Sequence, residues 1–125
     1  MSNFVQVTPF LHVRDLAAAE AFFTQVLGFE VAFRSPGYAY LQREGVAFRL
    51  LEAQGDEAPI GDRRITAYVD VRDVDALHRE LKPRLADLPP GDVYGPVDQR
   101  YRQRELMVRG PDGNVIVFGQ PTPVG

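Results

Sequence analysis

The chain has 125 residues and no cysteine, which excludes disulfides, thiolate metal sites and a cysteine nucleophile. Its 45% hydrophobic and 25% charged residues predict one soluble globular domain, residues 1–125, that buries about two-thirds of the surface of its unfolded form. A net charge of -3 with dispersed basic residues argues against a nucleic-acid partner. No segment reaches the ~20 apolar residues of a membrane span, and MSNFVQVTPF lacks a secretory signal pattern, so a cytoplasmic location is expected.

The first predicted element is a strand, FVQVTPFLHV, in which Pro9 cannot donate to a ladder and marks an edge or irregular position. Asp15 offers an N-cap carboxylate to a helix predicted over Leu16 to Leu27, and Gly28 supplies a left-handed stop. Leu16, Ala19, Phe22, Phe23, Val26 and Leu27 fall on one face of that helix, the spacing of a stripe laid on a sheet. Strands are predicted at Glu30–Arg34, Tyr38–Arg43 and Val46–Ala53, separated by SPG and EG turns. Residues 54–64, QGDEAPIGDRR, have the composition of a linker.

The order then repeats. A strand over Ile65–Val71 runs into Asp73, the cap of a helix from Val74 to about Leu81 that Pro83 is expected to stop. RLADLPPG reads as a loop with room for one short helical turn. Three strands complete the chain at Asp92–Gln99, Arg104–Gly110 and Asn114–Gln120, the last two joined by a GPDG turn. Val13-Arg14-Asp15-Leu16 thus returns as Val71-Arg72-Asp73-Val74, the strand-to-helix corner of a duplicated βαβββ unit. Module one covers about 4–53 and module two about 65–121. A unit this small has too little core to stand alone, so two must pack together within a chain or between chains.

Three stretches, TPFLHVRDLAAAEAFFTQVLGFEV, YVDVRDVDAL and YRQRELMVRGPDGNVIVFGQP, together resemble the vicinal-oxygen-chelate superfamily of glyoxalases, extradiol dioxygenases and bleomycin-resistance proteins. Leu106 and Gly110 depart from its signature, which usually carries an aromatic and an aspartate there. The resemblance implies an α+β fold of two βαβββ modules whose mixed sheets curl into a cup with the helices outside. Enzymes of the superfamily hold a divalent metal in that cup. The matching positions here are Thr8 and Thr66, seven residues before each capping aspartate, with Arg49 and Val117 on the closing strands. None is an imidazole or a carboxylate, and a fixed guanidinium repels a divalent cation, so no metal and no cofactor is expected. The register of the strand carrying Arg49 decides that alignment, because a shift of one residue flips its face.

With the metal set aside, rings and arginines remain as the expected lining. Phe33, Tyr38 or Tyr40, Tyr68, Tyr94 and Tyr101 come from strands or their edges and suit a flat, partly polar organic molecule. His12 shares a strand face with Phe10 and Thr8 but lies toward the corner, and His78 sits on a helix where a solvated side chain is expected. No catalytic residue is assigned. The bleomycin-resistance type is the most similar subgroup, in size, in Pro9 and in lacking metal ligands. It implies a homodimer, in some members with an exchanged N-terminal strand, that sequesters a drug at the subunit interface. The residues then placed near a ligand are Arg49, Tyr68, Tyr101, Arg104, Glu105, Phe33 and His12. The expected function is metal-independent binding of a small aromatic or amphipathic molecule. The alternatives are a metal-dependent lyase or dioxygenase with different ligands, and a dimeric interaction module without a small ligand.

Overall fold

The computed structural model describes residues 2–53 and 63–123, so the predicted linker lies outside the described residues except at Arg63 and Arg64. The chain runs β1 (Phe10–Val13), α1 (Leu16–Ala21), β2 (Glu30–Ser35), β3 (Tyr38–Arg43) and β4 (Val46–Glu52). It repeats as β5 (Thr66–Asp70), α2 (Val74–Leu85), β6 (Val93–Asp98), β7 (Gln103–Arg109) and β8 (Val115–Pro121). The strand orders are β1-β4-β3-β2 and β5-β8-β7-β6, with β1–β4 and β5–β8 parallel and the other pairs antiparallel. The fold is therefore the expected α+β pair of βαβββ modules, each a mixed four-stranded sheet with its helix on one face.

Both helices start as the sequence dictates. Asp15 and Asp73 each accept the backbone N–H three residues on, at 3.0 Å. Each corner has a second tie from the closing strand: Glu52 accepts the N–H of Leu16 at 2.8 Å, and Gln120 accepts that of Val74. Residues Phe22–Val26 continue α1 as a π-helical turn, in which the hydroxyl of Thr24 bonds back to the carbonyl of Glu20. Gly28 then takes a φ of 76°, and Arg43 donates to the exposed carbonyl of Leu27 at 2.8 Å.

Two boundaries differ from the sequence reading. Only Phe10–Val13 of the first predicted strand joins a sheet, and Phe4, Val5 and Val7 before it are each more than nine-tenths exposed. The α2 helix passes through Pro83 to Leu85 instead of stopping near Leu81. A proline inside a helix costs about 3 kcal/mol. Burial of Leu81 and Leu85, about 1.5–3 kcal/mol each, offsets that cost.

Alternation divides each sheet into an inner and an outer face. Leu11, Val13, Leu41, Phe48 and Leu50 of the first sheet, and Val69, Leu106, Val108, Ile116 and Phe118 of the second, point to the helix side. These join Phe23, Leu27, Leu81 and Leu85 in one buried cluster, so the two modules of a single chain share a core. Phe23 anchors it, with the Phe22, Phe29 and Phe48 rings at 5.6, 5.5 and 5.2 Å. Among the described residues no helix is long and apolar enough to cross a membrane.

Candidate functional site: two cup faces

Because the helix sides merge into the core, the other face of each sheet is left uncovered by any described element. These are the cup faces. Among the described residues outside the N-terminal segment, the exposed large apolar side chains are Phe10, Phe33, Leu51, Tyr68, Tyr94 and Tyr101. All belong to a cup face or its rim. Clustering of this kind marks a contact surface, since apolar residues scattered at random would also appear over the helices.

In module one the pairs Phe10↔Arg49, Tyr40↔Arg49 and Phe33↔Tyr40 place Phe33, Tyr40, Arg49 and Phe10 side by side. Arg49 donates to the hydroxyl of Tyr38 at 2.6 Å and stacks its guanidinium 4.9 Å from the centre of the Tyr40 ring. His12 lies beside Leu51 on the same face, toward the corner, with its Nδ1 buried and without a partner among the described residues. The result is a basic, ring-bearing surface held by its own hydrogen bonds.

Module two builds the same backbone with the opposite charge. The pairs Tyr68↔Val117, Glu105↔Gly119 and Tyr94↔Met107 set Tyr68, Glu105 and Tyr94 on its cup face. Tyr68 lies across Gly119, where an added Cβ would meet its hydroxyl, so only glycine fits beneath the ring. The Tyr68 hydroxyl donates to Gln103 at 2.9 Å, and the Tyr101 hydroxyl donates to Oε1 of Glu105 at 2.6 Å. Glu105 is 2% exposed and its Oε2 has no partner among the described residues. Burial of the phenol, and then the nearby Glu105 carboxylate, push the Tyr68 pKa well above its ordinary value; the hydrogen bond to Glu105 pushes that of Tyr101 up. Both hydroxyls therefore remain donors at neutral pH beside a carboxylate that has accepting capacity to spare.

The predicted site residues separate accordingly. Arg49, Phe33 and His12 gather on the cup face of module one, and Tyr68, Glu105 and Tyr101 on that of module two. Arg104 does not join them. Its guanidinium turns to the helix side, donating to Asp75 of α2 at 2.9 Å and to Asp98 at 3.1 Å. Alternation alone forbids neighbours 104 and 105 from sharing a face, and the same rule selects Gln103, which sequence reading missed. His78 lies on α2, away from both cup faces.

The superfamily's metal can be tested against the donors in place. The register puts Arg49 opposite Phe10 and Val117 opposite Tyr68, so the two occupy equivalent places in the two modules, as the sequence alignment assumed. Thr8 precedes β1 and Thr66 begins β5. An arginine, a valine and two threonine hydroxyls are not a donor set for a divalent cation. Among the described residues no group of three or more His, Asp or Glu side chains stands together as a metal cluster. The residues present do not fit the metal.

Solved structures place this geometry among known proteins. A bleomycin-binding protein from bleomycin-producing Streptomyces verticillus, complexed with copper(II)-bleomycin, is 26% identical with a TM-score of 0.79, over 99% of this chain and 100% of that one. A bleomycin resistance determinant encoded on transposon Tn5 is 22% identical with a TM-score of 0.77, over 94% and 98% of the two chains. A lactoylglutathione lyase from Agrobacterium tumefaciens shares the fold at 20% identity and a TM-score of 0.69, over 95% and 96%. No curated protein sequence matches the chain. The family model described as Glyoxalase/Bleomycin resistance protein/Dioxygenase superfamily matches residues 4–118, and with the βαβββ duplication and its cup faces in place, the chain belongs to that superfamily.

Proposed function

We propose that the protein binds a flat, partly polar organic molecule of the bleomycin class between the cup faces of two chains, and acts by sequestration without turnover. The observation that carries this reading is the concentration of exposed rings on two sheet faces of opposite charge. A face with Arg49 and a face with a buried Glu105 are complementary, so the module-one face of one protomer suits the module-two face of its partner. The apolar, fully exposed Phe4, Val5 and Val7 supply a segment long enough to pair across such a dimer.

Within the closed cup, Tyr68, Tyr94 and Phe33 stack on the ligand's ring system. Glu105 Oε2 accepts a hydrogen bond from an amine or amide N–H of the ligand, the partner it lacks among the described residues. Arg49, stiffened by Tyr38 and Tyr40, and His12 line the opposite wall. The similarity to the copper(II)-bleomycin complex supports an antibiotic as the occupant.

The test is a thermal-shift and calorimetric titration with copper(II)-bleomycin, paired with sedimentation analysis. A dimer is expected, together with a stabilisation of about 2.7 kcal/mol at one hundred times the dissociation constant. Tyr68→Ala is expected to abolish the shift while leaving the dimer folded. A monomer, or a transition unmoved by bleomycin and by other flat aromatic antibiotics, overturns the proposal.

A further inference from the structure

The internal repeat makes each strand-to-helix corner a control for the other. In module one the corner is narrowed from within, to a cleft of about 290 Å³ beside Arg14, Phe22 and Asp112. Asp112, in the turn between β7 and β8, accepts the backbone N–H of Arg14 at 2.9 Å and pairs with its guanidinium at 3.4 Å. The Phe22 ring packs against Gly110 so closely that a Cβ there would stand 2.8 Å from it.

At the corner of module two, among the described residues, neither Phe22 nor Asp112 has a counterpart. The place of Phe22 on the helix is taken by Glu80, which lines the corner and pairs there with Arg43 at 2.7 Å. The turn between β3 and β4, Glu44–Gly45, is shorter, and Glu44, left-handed like Asp112, pairs with Arg43 instead of with the corner. A cleft of about 530 Å³ remains. Its apolar wall is Leu27, Phe29, Val69, Leu77 and Phe118. Arg72, the counterpart of Arg14, opens onto it with neither its N–H nor its guanidinium engaged among the described residues.

Glu44, Asp70, Asp73 and Glu80 line this cleft as well, together with Arg43, and each acid has a place of its own. Glu44 and Glu80 share Arg43, Asp73 accepts the N–H of Ala76, and Asp70 alternates with Val69 onto the cup face. Arg72 is therefore the charged side chain that faces the cleft unmatched.

We propose that this cleft, distinct from the cup, binds a small aromatic carboxylate. The ring of the ligand occupies the volume that Phe22 fills in module one, against Leu77 and Phe118. Its carboxylate takes the place of the Asp112 side chain, accepting from the Arg72 N–H and pairing with the Arg72 guanidinium. Ring and carboxylate are both required, because Phe22 and Asp112 supply both at the first corner and, among the described residues, neither has a counterpart against Arg72 at the second.

The experiment is an amide-resolved NMR titration of the full chain with 3-phenylpropionate, benzoate and indole-3-acetate, with 3-phenylpropionamide as the uncharged control. Saturable shifts are expected at Arg72 and Leu77, with affinity at least tenfold weaker for the amide. Glu80→Phe, which rebuilds the ring of the first corner, is expected to abolish them, and Arg72→Ala to weaken them at least tenfold. Should Glu80→Phe fail to fold, Arg72→Ala and the uncharged control still decide. Arg14→Ala and Tyr68→Ala are expected to leave the shifts unchanged, which separates this cleft from the opposite corner and from the cup. The absence of saturable shifts with all three acids, shifts confined to the cup faces, or equal binding of acid and amide overturns the proposal.

Discussion

The two modules carry the same backbone to opposite ends. In module one an arginine lies on the cup face, fixed by Tyr38 and Tyr40, and Phe22 and Asp112 narrow the corner. In module two a buried glutamate takes over the cup face, and the corner is open. Strand order, register and capping are shared because they depend on alternation, glycine and the aspartate caps. Charge and cavity differ because they depend on single side chains that the backbone does not constrain. Duplication here fixes a scaffold and leaves chemistry free to diverge.

If the shared core makes the modules one cooperative unit, the largest effects come from equivalent core positions. Phe48→Ala is expected to cost about 3–5 kcal/mol and Ile116→Ala about 2–5 kcal/mol, each in a single urea transition. Two separated transitions would break the equivalence and show that the modules unfold independently. Smaller and nearly equal losses, about 1 kcal/mol each, are expected from Asp15→Ala and Asp73→Ala, read from the same urea midpoints. A clear inequality would show that Glu52 and Gln120 do not carry equal shares of the corner.

The smallest effect distinguishes the modules by pH. The hydrogen bond from Arg104 holds the Asp75 carboxyl below its ordinary value of 3.8, and module one has Ala17 at that helical position. The stabilisation is complete above 3.8 and is lost as pH falls through the lowered folded value. Urea midpoints of the unsubstituted protein are expected to fall more steeply in that acid range than those of Asp75→Asn, and parallel curves would show that the pair contributes nothing.

Much of this was legible in the chain. The repeated Val-Arg-Asp predicted both corners, and the Asp15 and Asp73 caps stand as read. Alternation placed His12 on the face of Phe10, where the pairing has it, whereas Arg49, Arg104 and Glu105 came from the family resemblance, and reading Arg104 with Glu105 ignored that rule. The passage of α2 through Pro83 was not legible, because it depends on what Leu85 meets in three dimensions. Nor was the Arg104 pairing with Asp75, which joins residues distant in sequence.

By itself, the sequence determined the duplication, the caps and the residue types at Thr8, Thr66, Arg49 and Val117, none of them an imidazole or a carboxylate, since each follows from local spacing or from residue chemistry alone. Only the tertiary structure decided that the helix sides of both modules merge into one core, that Glu105 Oε2 is buried without a partner among the described residues, and that one corner is narrower than the other. Those outcomes depend on which distant side chains arrive at a given point, and close packing leaves a void or an unpaired oxygen wherever none does.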